Sequence, residues 1–496
     1  MNRKMILVVA LQVVFGFTLF AQSGIKNYAN IKVKPGTYFA ANDNVNFTNT
    51  ASGSLEIEGA ARLEATNTNS AGISGIVVKN GANLLQNSAN VNATVEQEII
   101  ADKWHLISNP VAPIDMVSVL SGAWLYTYIE SYNGAENDDA WANVQFGTLQ
   151  NNIGYLVKNV GSNRTISYTG ILNNGNMTFP LAYTAANGAQ AGYNLVGNPF
   201  PTALDWTNGA GFDKTNITGA IYIWDQDAVA YGTSNGTVFT APMTSNIIPA
   251  NQGFFVKATS ASNFVINNNA KTLDLTTPFY KSGNTIDNLL RIRLSGNQSF
   301  DELVVYTDNQ ATQNYDLTKD ADKLLSGIAN VYTLSEDGYK LAINVTEDAE
   351  QTIPMNFVSE TSGVFTFTVN EFSFSNQTVT LEDIQSHTFT ELHNSTEYTF
   401  NHTAGNNANR FVLHFGSVTK ISETAQTDVN VYSYGRQVTI NNAENCEIEI
   451  VDMLGRTVLS EKLTSNTQTI SVSETGIYIV KALKNNQLTT KKVFIQ

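Results

Sequence analysis

Five tryptophans, Trp104, Trp124, Trp141, Trp206 and Trp224, all fall in one stretch of a 496-residue chain. Acidic residues stand beside two of them, in Asp205-Trp206 and Trp224-Asp225-Gln226-Asp227, with Tyr231 close by. That combination suits sugars: an indole or phenol stacks on the apolar C–H face of a pyranose, and Asp or Asn side chains satisfy its hydroxyls. The candidate binding residues are therefore Trp141, Trp206, Asp205, Asp225, Asp227 and Tyr231. Trp104 and Trp224 occupy recurring positions of an internal repeat and read as core side chains, whereas Trp141 and Trp206 stand in apparent loops. Asp225 and Asp227 are also a weak candidate for calcium, together with loop carbonyls, and Glu136-Asn137-Asp138-Asp139 forms a second acidic loop. Neither has the twelve-residue pattern that makes a calcium site specific, so both read as solvated turns.

Other chemistries find less support. The histidines, His105, His387, His393, His402 and His414, show no His-x-x-x-His or His-Glu-x-x-His spacing, so a zinc hydrolase is not expected. No Gly-x-Ser-x-Gly elbow, phosphate-binding loop or dinucleotide fingerprint occurs. Glycoside cleavage needs two carboxylates across a cleft, and in a chain with 43 acidic residues their mere presence decides nothing. Cys446 is the single cysteine and excludes an intramolecular disulfide. Flanked by Glu447 and Glu449, it reads as a small strand residue rather than a nucleophile. No catalytic residue and no cofactor is assigned.

The elements that position these residues are strands. Short runs rich in Val, Ile, Thr, Tyr and Phe alternate with Asn, Gly, Asp and Ser clusters, and helical periodicity is almost absent, which predicts an all-β, multidomain chain. Brief helical turns are expected at Ile114–Leu120 and Leu317–Leu325. Only 14% of residues are charged while 42% are hydrophobic, a balance that excludes bulk disorder. The net charge of −15 disfavours a nucleic-acid partner.

At the N-terminus, Arg3 and Lys4 precede the apolar stretch Met5–Phe20 and a small residue, Ala21, in the layout of a secretory signal peptide over 1–21. No transmembrane span is expected in the mature form. Residues 22–100 carry turn residues at intervals suited to stacked coils, and predict a short solenoid-like β segment whose open end is covered by the next domain of the chain. Residues 101–278 repeat themselves in three ordered blocks. Trp104-His105-Leu106-Ile107-Ser108-Asn109-Pro110 reads against Tyr193-Asn194-Leu195-Val196-Gly197-Asn198-Pro199; Leu125–Tyr128 against Ile221–Trp224; and Gly154–Lys158 against Gly253–Lys257. The expectation is an internally duplicated β domain. Residues 279–416 alternate cleanly, as in Phe411, Leu413 and Phe415 on one face with a solvated His414 on the other, and predict a β-sandwich. A polar linker, 417–428, leads to a final segment, 429–496.

That segment holds the most specific pattern. Asp452-Met453-Leu454-Gly455-Arg456 forms a hairpin tip, Gly476-Ile477-Tyr478-Ile479-Val480 opens a strand, and Lys491-Lys492-Val493 opens the last one. In order and spacing this resembles the C-terminal sorting domain of the type IX secretion system, and the sorting signal would comprise Asp452, Gly455, Arg456, Gly476, Ile477, Tyr478, Lys491 and Lys492. The resemblance implies a seven-strand, immunoglobulin-like sandwich, passage through the periplasm, the type IX translocon and its sortase as partners, and release or attachment at the cell surface. The rest of the chain supports two functional readings. The first is a non-enzymatic, adhesin-like surface or secreted protein, with glycan as a candidate partner; the second is a secreted carbohydrate-active enzyme, a polysaccharide lyase or hydrolase.

Overall fold

In the computed structural model, residues 25–27, 30–49, 54–57, 62–70, 76–132, 140–273, 286–347, 351–405, 408–416, 429–453, 455–484 and 487–495 are described. The signal-peptide stretch, the acidic loop Glu136–Asp139 and the linker 417–428 lie outside them. The chain is all-β and divides into two compact units, Met1–Ser417 and Val418–Gln496.

The first unit opens with strands that alternate between two parallel sheets. Ile25–Asn27, Tyr38–Asn49, Arg62–Ser70 and Asn83–Leu85 form one; Asn30–Val33, Ser54–Ile57, Ile76–Val78 and Asn92–Ile99 form the other. This is a short two-sided solenoid. Leu55, Ile57, Ile76, Val78 and Val95 fill its inside, since alternate side chains of each short strand point inward. The open edge at Asn92–Ile99 is closed by an antiparallel strand, Arg164–Ile171, which removes the exposed row of backbone donors and acceptors.

Next along the chain are two four-stranded antiparallel sheets. In the first the order is Trp141–Asn143, Trp124–Tyr128, Gly154–Lys158, His105–Ser108; in the second it is Ala230–Ser234, Ile217–Asp225, Gly253–Ala258, Tyr193–Gly197. Strand order and sense coincide, and the registers agree at the glycines, where Ser108 pairs with Gly154 as Gly197 pairs with Gly253, while the second sheet's register shifts between Ile217 and Ile221. The strands His105–Ser108 and Tyr193–Gly197 end in the same device. The Asn109 side chain accepts from Val111 N and donates to the Leu149 carbonyl, and Asn198 accepts from Phe200 N and donates to the Pro249 carbonyl. These are Asx turns ahead of Pro, which holds the preceding residue extended. The sheets meet through their glycines. A Cβ on Gly154 would stand 2.4 Å from the Val196 carbonyl oxygen, and one on Gly253 would stand 2.9 Å from Ile107 N, so only glycine allows this approach.

Residues 286–416 build a single sheet running from Thr388–Glu391 at one edge to Glu397–His402 at the other. It curls until its edges meet, where the Tyr398 hydroxyl lies 2.9 Å from Thr388 Oγ1. The two faces of the expected sandwich thus come from one continuous sheet. Inside lie Leu290, Ile292, Phe357, Phe365, Phe367, Phe411 and Leu413. The strands Ser299–Thr307 and Lys340–Thr346 are buried on both faces: Leu303 and Val305 point into this core, while Val304, Tyr306, Ile343 and Val345 pack outward against Tyr193, Tyr222 and Phe255 of the second four-stranded sheet. A helix forms at Met116–Leu120, capped by Asp115, but none at Leu317–Leu325, where Asp316 and Asp320 fasten turns with their side chains instead. His414 lies opposite the apolar stripe as expected, yet its Nε2 sits 2.7 Å from Glu382 rather than facing water alone.

The second unit packs a three-stranded sheet (Asn430–Tyr434, Gln437–Asn441, Thr467–Ser471) with a four-stranded one (Thr457–Lys462, Glu447–Asp452, Gly476–Lys484, Gln487–Ile495) around Val438, Ile440, Ile450, Val480 and Ile495. Cys446 is buried in this core, and burial pushes its thiol up.

Candidate functional site

The structure sorts the tryptophans differently from their sequence contexts. Trp206 is 0% exposed. Residues 203–212 fold beneath the second sheet, where the indole donates to the Gly219 carbonyl at 3.0 Å and packs edge-on against Phe212 at 4.8 Å, so this ring offers no face to a ligand. Asp205 is spent on its own turn, accepting from Thr207 N and Thr207 Oγ1. Trp141 and Tyr231 are half-buried in an aromatic seam with Tyr128 and Phe255, at centroid distances of 5.3 and 6.1 Å. Trp104 and Trp224, read as core from their recurrence, are only half-buried and stand at the rim of a hollow.

The hollow, about 220 Å³, is lined by Trp104, Trp224, Asp225, Gln226, Asp227, His105, Gln97 and Gln252. Sequence reasoning selected Asp225 and Asp227 but missed Trp104, Trp124, Gln226 and Gln252. Asp225 accepts from Asp227 N and Ala228 N and so shapes the turn, while Asp227 is paired with Lys103. Gln226 accepts from Trp104 N at 3.0 Å, and Gln252 donates to the Leu106 and Gly253 carbonyls. The imidazole of His105 accepts from Ile100 N, and burial holds its pKa below the usual value, so it stays neutral near pH 7. Among the described residues no three His, Cys, Asp or Glu side chains converge as a metal site.

Beside the hollow lies an open aromatic platform. Trp104 and Trp124 are 6.1 Å apart with ring planes tilted by 44°, Tyr126 meets Trp104 edge-on at 5.8 Å, and the Lys158 ammonium stands 5.4 and 5.7 Å from the two indole centroids. Trp124 is 50% exposed. A half-exposed indole beside a second indole and a lysine ammonium has the shape and chemistry to stack a sugar ring. A larger hollow of about 430 Å³, between Thr127, Asn152, Pro180 and Asn194, contains no charged side chain.

In the C-terminal unit the sorting motif explains itself locally. Asp452 accepts from Arg456 N at 2.9 Å and from Arg456 Nε at 2.6 Å, locking the hairpin tip around Gly455 at φ 78°. Gly476 takes φ 149°, and the Tyr478 hydroxyl donates to the Glu474 carbonyl from a buried ring. Ile477, Lys491 and Lys492 lie on the paired strands Gly476–Lys484 and Gln487–Ile495, with Ile479 opposite Lys492.

Comparison with known proteins places both units. The family described as "Secretion system C-terminal sorting domain" matches residues 434–496. The second unit is therefore a type IX secretion sorting domain, and the protein is exported to the cell surface or secreted; its partner in that passage is the type IX machinery. Among the described residues no helix is long and apolar enough to cross a membrane. No curated protein matches the chain. Among solved structures, "Biofilm associated protein - BSP domain" aligns at 10% identity over 79% of this chain and 90% of its own, with a TM-score of 0.18. PorZ, titled "an essential bacterial surface component of the type-IX secretion system" of Porphyromonas gingivalis, aligns at 9% identity over 56% of this chain and 58% of its own, with a TM-score of 0.14. Neither superposition is close enough to establish a shared fold. Over its body, residues 22–415, the match is to the family described as "Domain of unknown function (DUF8693)", and the chain belongs to that family.

Proposed function

We propose that this protein is an adhesin-like surface binder that takes glycan at the hollow and platform of its first repeat sheet, and that its two sheets are an internal duplication carried out of the cell by the sorting domain. The observation that carries the reading is Trp124, half-exposed beside Trp104, itself at the rim of the amide-lined hollow, while Trp206 is enclosed in the core. Large apolar rings left open on a chain able to bury others completely point to a ligand. The shared strand order of the two sheets and their matching register at the glycines support the duplication. The enzymatic alternative gains nothing at this hollow, because Asp225 is committed to its turn and Asp227 to Lys103. Removal of the tail by a sortase, with release or surface attachment, is part of the same proposal.

The test is a glycan-array screen of the chain from residue 22 onward, with a parallel reducing-sugar assay on every bound glycan. Binding without turnover, abolished by Trp124→Ala, is the expected result. Turnover of a bound glycan, or binding indifferent to both Trp124→Ala and Trp104→Ala, contradicts the proposal.

A further inference from the structure

The two repeat sheets carry a matching trio, two aromatic rings and a lysine, at equivalent positions, and only one trio is covered. On the second sheet Tyr193, Tyr222 and Lys257 are together: the rings are 5.8 Å apart at 68°, and the ammonium stands 5.2 Å from the Tyr193 centroid. On the first sheet Trp104, Tyr126 and Lys158 repeat the arrangement, with rings 5.8 Å apart at 69° and the ammonium 5.4 Å from Trp104. Register makes the equivalence strict, since Tyr126 pairs with Leu156 as Tyr222 pairs with Phe255, and Lys158 and Lys257 each lie four residues beyond the paired glycine.

What covers the second trio is a carboxylate. Lys257 is 7% exposed and meets Asp322 at 2.9 Å; the Tyr315 hydroxyl donates to the same carboxylate at 2.6 Å, and Tyr339 stacks on Tyr315 at 4.4 Å. The ammonium cradled by two rings is thus answered by an anion carried on flat, apolar surfaces. Lys158 has no carboxylate within ion-pair distance among the described residues. Opposite Lys158 the first sheet adds the half-exposed Trp124, one more stacking face on the open platform, whereas the second sheet's register shifts between Ile217 and Ile221, where Ala220 is buried.

We propose that the sugar taken here is a carboxylated one: a uronic-acid residue whose ring stacks on Trp124 and whose carboxylate meets Lys158 Nζ. This rests on the glycan-binding reading and names its ligand class. Size favours a sugar over a protein segment. A hollow of about 220 Å³ is below the range for drug-sized ligands, and a stable protein interface needs roughly 800 Å² per partner. The chain's net charge of −15 repels a polyanion at long range, but at about 0.15 M ionic strength charges more than about 8 Å apart are screened while the local contact survives.

The experiment measures affinity of the chain from residue 22 onward for polygalacturonate and alginate, each against its fully esterified form, at that ionic strength. A synthetic peptide of residues 313–324, the segment bearing Tyr315 and Asp322, is the protein-type probe. Acid polymers are expected to bind about tenfold tighter than their esters. Lys158→Gln should erase that difference, and Trp124→Ala should weaken both forms. Equal binding of acid and ester, untouched by Lys158→Gln, overturns the carboxylate assignment and leaves glycan binding standing. Binding on the array only to neutral glycans does the same. Saturable binding of the peptide, lost in Lys158→Gln, with no glycan bound, overturns both and assigns the platform to a protein partner. No binding of any probe overturns both.

Discussion

At the scale of single residues, what decides a tryptophan's role is what covers it rather than which residues stand beside it. Trp206 sits in a polar, loop-like context that suggested exposure, yet it is enclosed because residues 203–212 turn under the sheet and its indole finds the Gly219 carbonyl. Trp104 recurs at the position of Tyr193, and that recurrence suggested a core role, yet the domain that buries Tyr193 does not reach Trp104. Sequence equivalence carried position but not burial, because the covering surface comes from residues 286–346, far along the chain. Two substitutions separate the roles. Trp206→Ala should cost about 3–5 kcal/mol of stability, the range for emptying a buried aromatic site. Trp124→Ala should stay within about 0.5 kcal/mol of the parent, as surface changes do, while losing glycan binding. Calorimetry of both proteins, beside the array, checks the pair.

At the scale of elements, the strands were legible and their partners were not. Alternation in Phe411–Phe415 and the repeated Asn-Pro turns announced strands and their ends. The fully buried run Leu341–Thr346 gave no sign of which two layers it joins. Its outer face helps seat the second repeat sheet, and the Lys257–Asp322 pair locks that seat with both side chains under a tenth exposed. Lys257→Met should cost about 3–5 kcal/mol, because it leaves the Asp322 charge buried without its partner, and adding Asp322→Leu should recover part of the loss. Thermal unfolding of the single and double variants measures this. A second lock closes the curled sheet: Arg410 holds Asp383 through two nitrogens at 2.9 and 2.6 Å, and the Tyr398 hydroxyl donates to it at 2.7 Å. Burial alone would raise the Asp383 pKa, but the Arg410 and Tyr398 hydrogen bonds and the Arg410 charge outweigh it and hold the carboxyl below its ordinary 3.8. A carboxyl depressed in the folded state contributes stability that is complete above the unfolded value and is lost as pH falls through the folded one. Asp383→Asn should therefore be less stable at pH 7, and the gap to the parent should close below about pH 4 in unfolding curves taken across that range.

At the scale of the whole molecule, the tail was the most legible part because its signal is local. The Asp452–Arg456 turn and the strands after it are written in consecutive residues and fold around their own core, Ile440, Ile450, Val480 and Ile495. Deleting 429–496 should leave the remainder in the periplasm, with none reached by protease added to intact cells; delivery of the truncated chain to the surface would contradict the export account. The body was legible as strands and layers, while the binding face we propose lies only where one covering domain stops short of the first sheet. The most direct measurement of that claim is a crystal structure of the chain soaked with the uronate oligosaccharide it binds best. A sugar ring stacked on Trp124 with its carboxylate at Lys158 is the predicted result; a sugar seated elsewhere on the molecule, with the Trp104–Trp124 platform bare, would contradict it.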